Sequence, residues 1–304
     1  MTPLSVVHPR RLQEAASWRL EKRTRELRRL VRLTTSPLRV RPTFLVIGGV
    51  KCGTTSLHRY LCEHPAVLCA TVKEVHYFSL RYPLGERWYR AQFPLAPRQL
   101  GIRVRRGTRP AVGEATPAYI FDPRAPRRVH AFDERMRLIA ILRDPVERAY
   151  AHYQWEVATR DETRSFEDAL AWEEDVLAPE LERWIADPSY APALPVFGRS
   201  YVARGRYAEQ LDRWLELFPR DQLLVLTTDD LLSDPAGVMT EVAQFLGIPG
   251  WTADSYPLEN VSTYAPMSPV TREHLAGIFD PHNRRLERLL GRELNWTRPA
   301  HAHR

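Results

Sequence analysis

The chain has 304 residues, room for one large core or one core with extensions, and 44% of them are hydrophobic, an ordinary share for a globular protein. No apolar run reaches the roughly 20 residues that cross a bilayer and no signal peptide is visible, which argues against membrane-spanning and secreted classes and predicts a cytoplasmic protein. A net charge of +7 points to an anionic ligand, a nucleic acid or an acidic surface without choosing among them.

Residues 1–41 read as a basic helical extension. Leu12, Trp18, Leu20, Leu27, Leu30 and Val31 are spaced among arginines from Arg10 to Leu33. Such a segment could lie on an anionic membrane or grip a partner, although a solvated helix packed along the domain is the commoner outcome. Pro37 and Pro42 mark the boundary of a single domain over 42–304. Cys52, Cys62 and Cys69 are an odd number without metal-ligand spacing. A core of this size needs no disulfide, so a reducing compartment is expected. Lys22, Lys51 and Lys73 are the only lysines, an imbalance against arginine that genomic base composition explains.

Phe44, Leu45, Val46 and Ile47 predict a buried parallel strand. Gly48, Gly49 and Gly53 follow, with Lys51 among them, and Thr54, Thr55 and Ser56 open a helix. A glycine-rich loop between a strand and a helix N-terminus is an anion site, because the first helical amides lack internal partners and the dipole adds positive charge. Gly48 and Gly53 keep the spacing of the phosphate loop G-x-x-x-x-G-K-[ST], but Thr54 stands where its lysine would be, and the lysine has moved to position 51. Cys52 in this loop is read as a small residue rather than a nucleophile.

Lys73, Glu74 and His76 come next, just beyond a short strand at Val67 and Leu68. In extended backbone Glu74 and His76 share a face, an acid–base pair at the rim where ligands of open α/β sheets bind. A helix over Leu84–Phe93, an irregular basic connection over Arg98–Arg109, a short strand at Ala111–Glu114 and a helix over Arg124–Phe132 precede a second strong strand, Arg137–Leu142. That strand runs into Arg143, Asp144 and Pro145. Asp144 suits a helix N-cap and Pro145 the first turn, so Arg143 sits at a second helix N-terminus, where its guanidinium can hold a phosphate by two hydrogen bonds. Further on, the pattern predicts a helix over Phe166–Trp184, a proline-rich loop over Asp187–Phe197 that could gate an acceptor, and an amphipathic helix over Tyr201–Phe218. A third strand at Gln222–Leu226, a helix at Val238–Leu246, a polar loop at Asn260–Arg272 and a helix at Pro269–Leu290 complete the chain. His301 and His303 lie in a polar tail with no metal-site pattern.

The order G-x-x-K-x-G-T-T, then K-E-x-H-Y-F, then L-R-D-P-x-x-R-A-Y-x-x-Y resembles the sulfotransferases that use 3′-phosphoadenosine-5′-phosphosulfate (PAPS). The K-E-x-H segment is most similar to the branch of the heparan sulfate sulfotransferases and many bacterial relatives, over roughly Pro42 to Trp296. The resemblance implies an α/β fold wound like P-loop kinases, with a mainly parallel central sheet flanked by helices. It implies that Lys51, Cys52, Gly53, Thr54, Thr55 and Ser56 hold the 5′-phosphosulfate, Arg143 the 3′-phosphate, and that Glu74 is the general base with His76 and Lys73 beside it. Tyr207, Tyr264 and Arg272 are further donor-contact candidates. The family needs no metal; no nucleic-acid partner is implied, and the acceptor would be a hydroxyl, or second in preference an amine, of a carbohydrate, lipid or natural product. One departure is Ala151, where the family carries a serine on the 3′-phosphate, with Tyr207 or Arg148 as possible substitutes. A P-loop kinase or NTPase, and a non-catalytic nucleotide- or nucleic-acid-binding protein, are the alternatives; the first would require a lysine at Thr54 and a Mg²⁺ carboxylate.

Overall fold

The computed structural model describes residues 23–24, 26–160, 162–193, 195–260 and 262–296. Its centre is a five-stranded sheet built from β1 (Phe44–Gly48), β2 (Val67–Cys69), β3 (Ala111–Ala115), β4 (Arg137–Leu142) and β5 (Leu223–Thr227). The strands lie in the order β2-β3-β1-β4-β5, and every pairing is parallel. Val46 of β1 stands opposite Ala115 of β3 and Ile139 of β4.

Alternation along β1 explains why the strand reads as continuously apolar. Leu45 and Ile47 point into one core layer, with Val112, Leu138, Tyr119 and Trp214. Phe44 and Val46 point into the other, with Leu57, Leu61, Ile141 and Val242. Successive strand side chains face opposite ways, so a strand covered by helices on both sides must be apolar at every position. Helix α1 (Thr54–Glu63) follows β1, and the helices α2 (Gly85–Arg90), α3 (Ala96–Arg106) and α4 (Ala125–Phe132) flank the β2–β3 half. Beyond β4 runs α5 (Pro145–Thr159), begun by Pro145 and capped by Asp144, whose Oδ1 accepts the Val146 amide at 2.9 Å. Helices α6 (Phe166–Trp172) and α7 (Ala178–Ala186), joined by a wide turn over Glu173–Leu177, then α8 (Val196–Arg199), α9 (Tyr207–Leu215), α10 (Thr228–Ser233), α11 (Pro235–Leu246) and α12 (Pro269–Leu290) complete the architecture. Among the described residues no helix is long and apolar enough to cross a membrane.

Three sequence expectations change here. Residues 98–109, expected to be irregular, are mostly the helix α3, with Pro97 in its first turn and Gly107 closing it at φ 67°. Only Ile102 of α3 is buried, so the helix carries no apolar stripe to reveal it. The cysteines are not all free: Cys62 at the end of α1 is bridged to Cys69 at the end of β2, with Cα atoms 5.7 Å apart. Cys52 alone is a free thiol. The segment carrying Glu74 and His76 is not extended, since both residues adopt positive φ, 60° and 55°.

Most of the basic extension, including Leu12, Trp18 and Leu20, and the tail with His301 and His303 lie outside the described residues. The described end of the extension is helical over residues 26–34, exposing Leu27, Leu30 and Val31. It is tied to the domain by Arg32, whose Nε donates to the Ala91 carbonyl at 2.6 Å.

Candidate active site

The loop after β1 turns at Gly53, whose φ of 87° is open to glycine and costly for other residues. Gly53 is the N-cap of α1 and offers no side chain to its first amides, which leaves them free to face an anion. Gly48 must also lack a side chain, because a methyl there would collide with Ile120. The Gly49 amide donates to the Ile141 carbonyl at 2.6 Å, and the Thr228 hydroxyl donates to the carbonyls of Cys52 at 2.9 Å and Leu142 at 3.1 Å. These bonds tie the loop to the end of β4, the strand that delivers Arg143.

Lys51, half-buried and with φ 62°, has no hydrogen bond or ion pair among the described residues. Burial lowers its pKa, and the charges of Arg143 and Lys73 lower it further. Three cations from three separate stretches of sequence therefore converge, which is costly unless an anion is to join them. Among the described residues the Arg143 guanidinium makes only a long contact, 3.7 Å, to Glu147. Glu147 also accepts from Arg272 at 2.5 Å, so Arg272 of α12 does stand beside Arg143.

On the other flank, Lys73 Nζ lies 2.8 Å from Glu74 Oε1, and His76 Nε2 lies 3.5 Å from Glu74 Oε2. The His76 hydrogen bond and the Lys73 charge hold the Glu74 carboxyl down to about 2, against a desolvation that pushes upward. The pair expected from alternation does meet, but a left-handed turn brings it together. That turn is fixed by β3: the Glu74 amide donates to the Ala115 carbonyl at 2.9 Å and the His76 amide to Thr116 Oγ1 at 3.2 Å. Thr116 in turn donates to the buried Glu114 at 2.7 Å, which also accepts from Tyr119 at 2.8 Å. Burial pushes the Glu114 carboxyl up to about 7, although its hydroxyl partners oppose that.

Other expected donor contacts have different partners. Tyr207 is buried, and its hydroxyl donates to the Arg143 carbonyl at 2.9 Å and lies 3.7 Å from Cys52 Sγ. It supports the site from beneath. Arg148 is wholly buried and donates to the Tyr201 carbonyl, so neither residue offers an exposed group to replace the serine missing at Ala151, itself buried. Burial raises the pKa of the Cys52 thiol, and that side chain packs under the loop. Thr54 is buried, and the buried Ser56 hydroxyl accepts the Glu259 amide at 2.9 Å. Tyr264 rests against the Tyr150 ring at 5.3 Å. The residue of this region that reaches the loop is Asn260, whose amide donates to Thr55 Oγ1 at 3.2 Å. Asn260, Thr228, Glu114 and Thr116 were not singled out from sequence. A lone carboxylate inside the apolar strand Ala111–Ala115 was the one available signal.

The sulfotransferase domain profile matches residues 41–263 of this chain. The chain belongs to the sulfotransferase family. Among curated sulfotransferases, human heparan sulfate glucosamine 3-O-sulfotransferase 6 is 34% identical over 74% of this chain and 58% of its own length. The human bifunctional heparan sulfate N-deacetylase/N-sulfotransferase 3 is 32% identical over 82% of this chain and 30% of its own length. The membrane-associated sulfotransferase kil1 of Dictyostelium discoideum is 27% identical over 84% of this chain and 66% of its own length. This sulfotransferase thus spans less than two thirds of those relatives. Among solved structures, a sulfotransferase from Alicyclobacillus acidocaldarius superposes with a TM-score of 0.62 at 33% identity, covering 84% of this chain and 98% of that one.

Proposed function

We propose that this sulfotransferase, with its catalytic domain over 42–304, moves the sulfuryl group of PAPS to a hydroxyl of a carbohydrate or small-molecule acceptor, with Glu74 as general base. The observation that carries the reading is the pairing of two under-satisfied cations with two helix N-termini at the carboxyl ends of two adjacent central strands. Lys51 precedes α1 and has no partner among the described residues, while Arg143 precedes α5 with only a long contact. Helix termini and cations together fit a ligand with phosphate groups at both ends.

In this reading Lys51, with the α1 amides and the Thr55 hydroxyl, receives the 5′-phosphosulfate, and Arg143 with Arg272 receives the 3′-phosphate. The acceptor oxygen attacks sulfur and its proton passes to a Glu74 oxygen. The bond from sulfur to the bridging oxygen breaks, and Lys51 meets the charge that develops there. A carboxylate held near 2 by the His76 hydrogen bond and the Lys73 charge is a weak base. Lys73 turning toward the anionic sulfuryl group would remove one of these two influences and raise the basicity of Glu74 as the donor arrives, the His76 hydrogen bond staying in place. The relatives named for heparan sulfate favour a carbohydrate acceptor.

The test is calorimetric binding of 3′,5′-bisphosphoadenosine against ATP-Mg²⁺, on wild type and Lys51→Ala. The reading expects the bisphosphate to bind more tightly than ATP and to be weakened in the variant. Preference for ATP-Mg²⁺, or a Lys51→Ala affinity equal to wild type, would overturn it.

A further inference from the structure

Beside the proposed catalytic pair, on the face of α1 turned toward β2, lie three side chains for which sulfuryl transfer has no use. His58 and Cys62 are one helical turn apart, and Cys69 comes from the end of β2. Their ligating atoms all lie within 4.8 Å of one another. We propose that His58, Cys62 and Cys69 form a thiol site with two states: the disulfide, and, once a dithiol has reduced it, a ligand set for one thiophilic divalent cation such as Zn²⁺.

The chemistry of the donors selects the cation class. Two thiolates and an imidazole suit zinc and its soft neighbours and are a poor set for magnesium or calcium. The geometry agrees. Zinc bonds of about 2.3 Å to sulfur and about 2.0 Å to nitrogen, at tetrahedral angles, put the two donors about 3.5 Å apart. His58 Nε2 already lies 3.4 Å from Cys62 Sγ. Two zinc-bound sulfurs would stand about 3.8 Å apart, a separation that side-chain rotation provides from Cα atoms at 5.7 Å. Access is open as well: Cys62 is exposed, while Cys69 and His58 are partly so. The buried Cys52 is out of reach and plays no part.

The reactions balance without other groups. The dithiol is oxidised to its cyclic disulfide while the Cys62–Cys69 bond takes up two electrons and two protons. The cation then displaces the two thiol protons and adds to the neutral imidazole. The two states exclude each other, since both use the same sulfurs. Binding at these three residues does not depend on PAPS being the donor.

The experiment is a zinc titration of the oxidised and the dithiol-reduced protein, read by competition with a chromophoric chelator, with native mass spectrometry for stoichiometry. The variants are Cys62→Ser, Cys69→Ser and His58→Ala, each checked by thermal melting and by binding of 3′,5′-bisphosphoadenosine. The reduced wild type is expected to bind one zinc per chain and the oxidised protein none at this site. Either serine variant should lose the site, and His58→Ala should weaken it at least tenfold. Zinc should also protect Cys62 and Cys69 of the reduced wild type from alkylation. A reduced wild type that takes up no zinc, or serine variants that bind as the wild type does, would overturn the site. Unchanged affinity in His58→Ala would remove the third ligand and with it the proposal. Should His58→Ala or a serine variant melt early, the alkylation assay on wild type decides alone.

Discussion

Glu74 is ionised at every pH where the protein would work, because a hydrogen bond from His76 and the ammonium of Lys73 hold its carboxyl down to about 2. Glu74→Gln keeps the shape and removes the proposed base. Its turnover should fall by about 10²–10⁴-fold with little change in bisphosphate affinity, measured by kinetics and calorimetry on the same preparation. Glu114 is the opposite case, raised by burial to about 7. A lowered folded-state pKa gives stability that is present above the unfolded value and lost as pH falls; for Glu74 that window runs from about 4.5 down to about 2. A raised one gives stability that is present below the unfolded value and lost as pH rises; for Glu114 that window runs from about 4.5 up to about 7. The melting-temperature advantage of wild type over Glu114→Gln should therefore shrink from pH 4.5 to 7, as thermal melts of both proteins across that range would read. At this scale the sequence was legible where charged residues gather, since Lys51, Arg143 and Lys73 come together and Glu74 meets Lys73 and His76. It was silent where a side chain works through a backbone contact. Thr228 bonds two carbonyls that precede it by 176 and 86 residues, and no local pattern encodes such a partner.

The elements divide into those whose signal is their packing and those whose signal is their ends. Strands β1, β4 and β5 were readable because burial on both faces forces an unbroken apolar run. Helix α3 was not, since Leu100 and Val104 are exposed and only Ile102 is buried, and its start and stop residues were the whole of its signature. The turn at Glu74 to His76 was readable in its outcome and not in its form, because β3 imposes a left-handed backbone that neither side chain prefers. Helices α5 and α12 meet through Glu147, which accepts from Arg272 and lies near Arg143. Arg143→Ala should weaken 3′,5′-bisphosphoadenosine at least tenfold, and far more than adenosine 5′-monophosphate. Glu147→Gln should tighten the bisphosphate severalfold by removing the carboxylate that competes for both guanidiniums. Equal losses for both nucleotides in the first variant, or weaker binding in the second, would place the 3′-phosphate elsewhere.

In the molecule as a whole, the sheet order sets the site. Strands β1 and β4 are adjacent at the centre, so the N-termini of α1 and α5 stand side by side at the most buried part of the sheet. Leu45→Ala in that centre should cost about 2–5 kcal/mol of stability in urea unfolding, because the cavity would open where β1 is packed on both faces. Glu74, in contrast, hangs from the short edge strand β2 and leans on β3.

That asymmetry has a consequence for how such an enzyme can change over time. On the proposed function, the half of the sheet assigned to the donor is the more deeply buried, whereas Glu74 sits at the periphery, with a three-residue strand and exposed helices around it. On that assignment, substitutions around β2 would change which acceptor is sulfated at less risk to the fold than substitutions between β1 and β4.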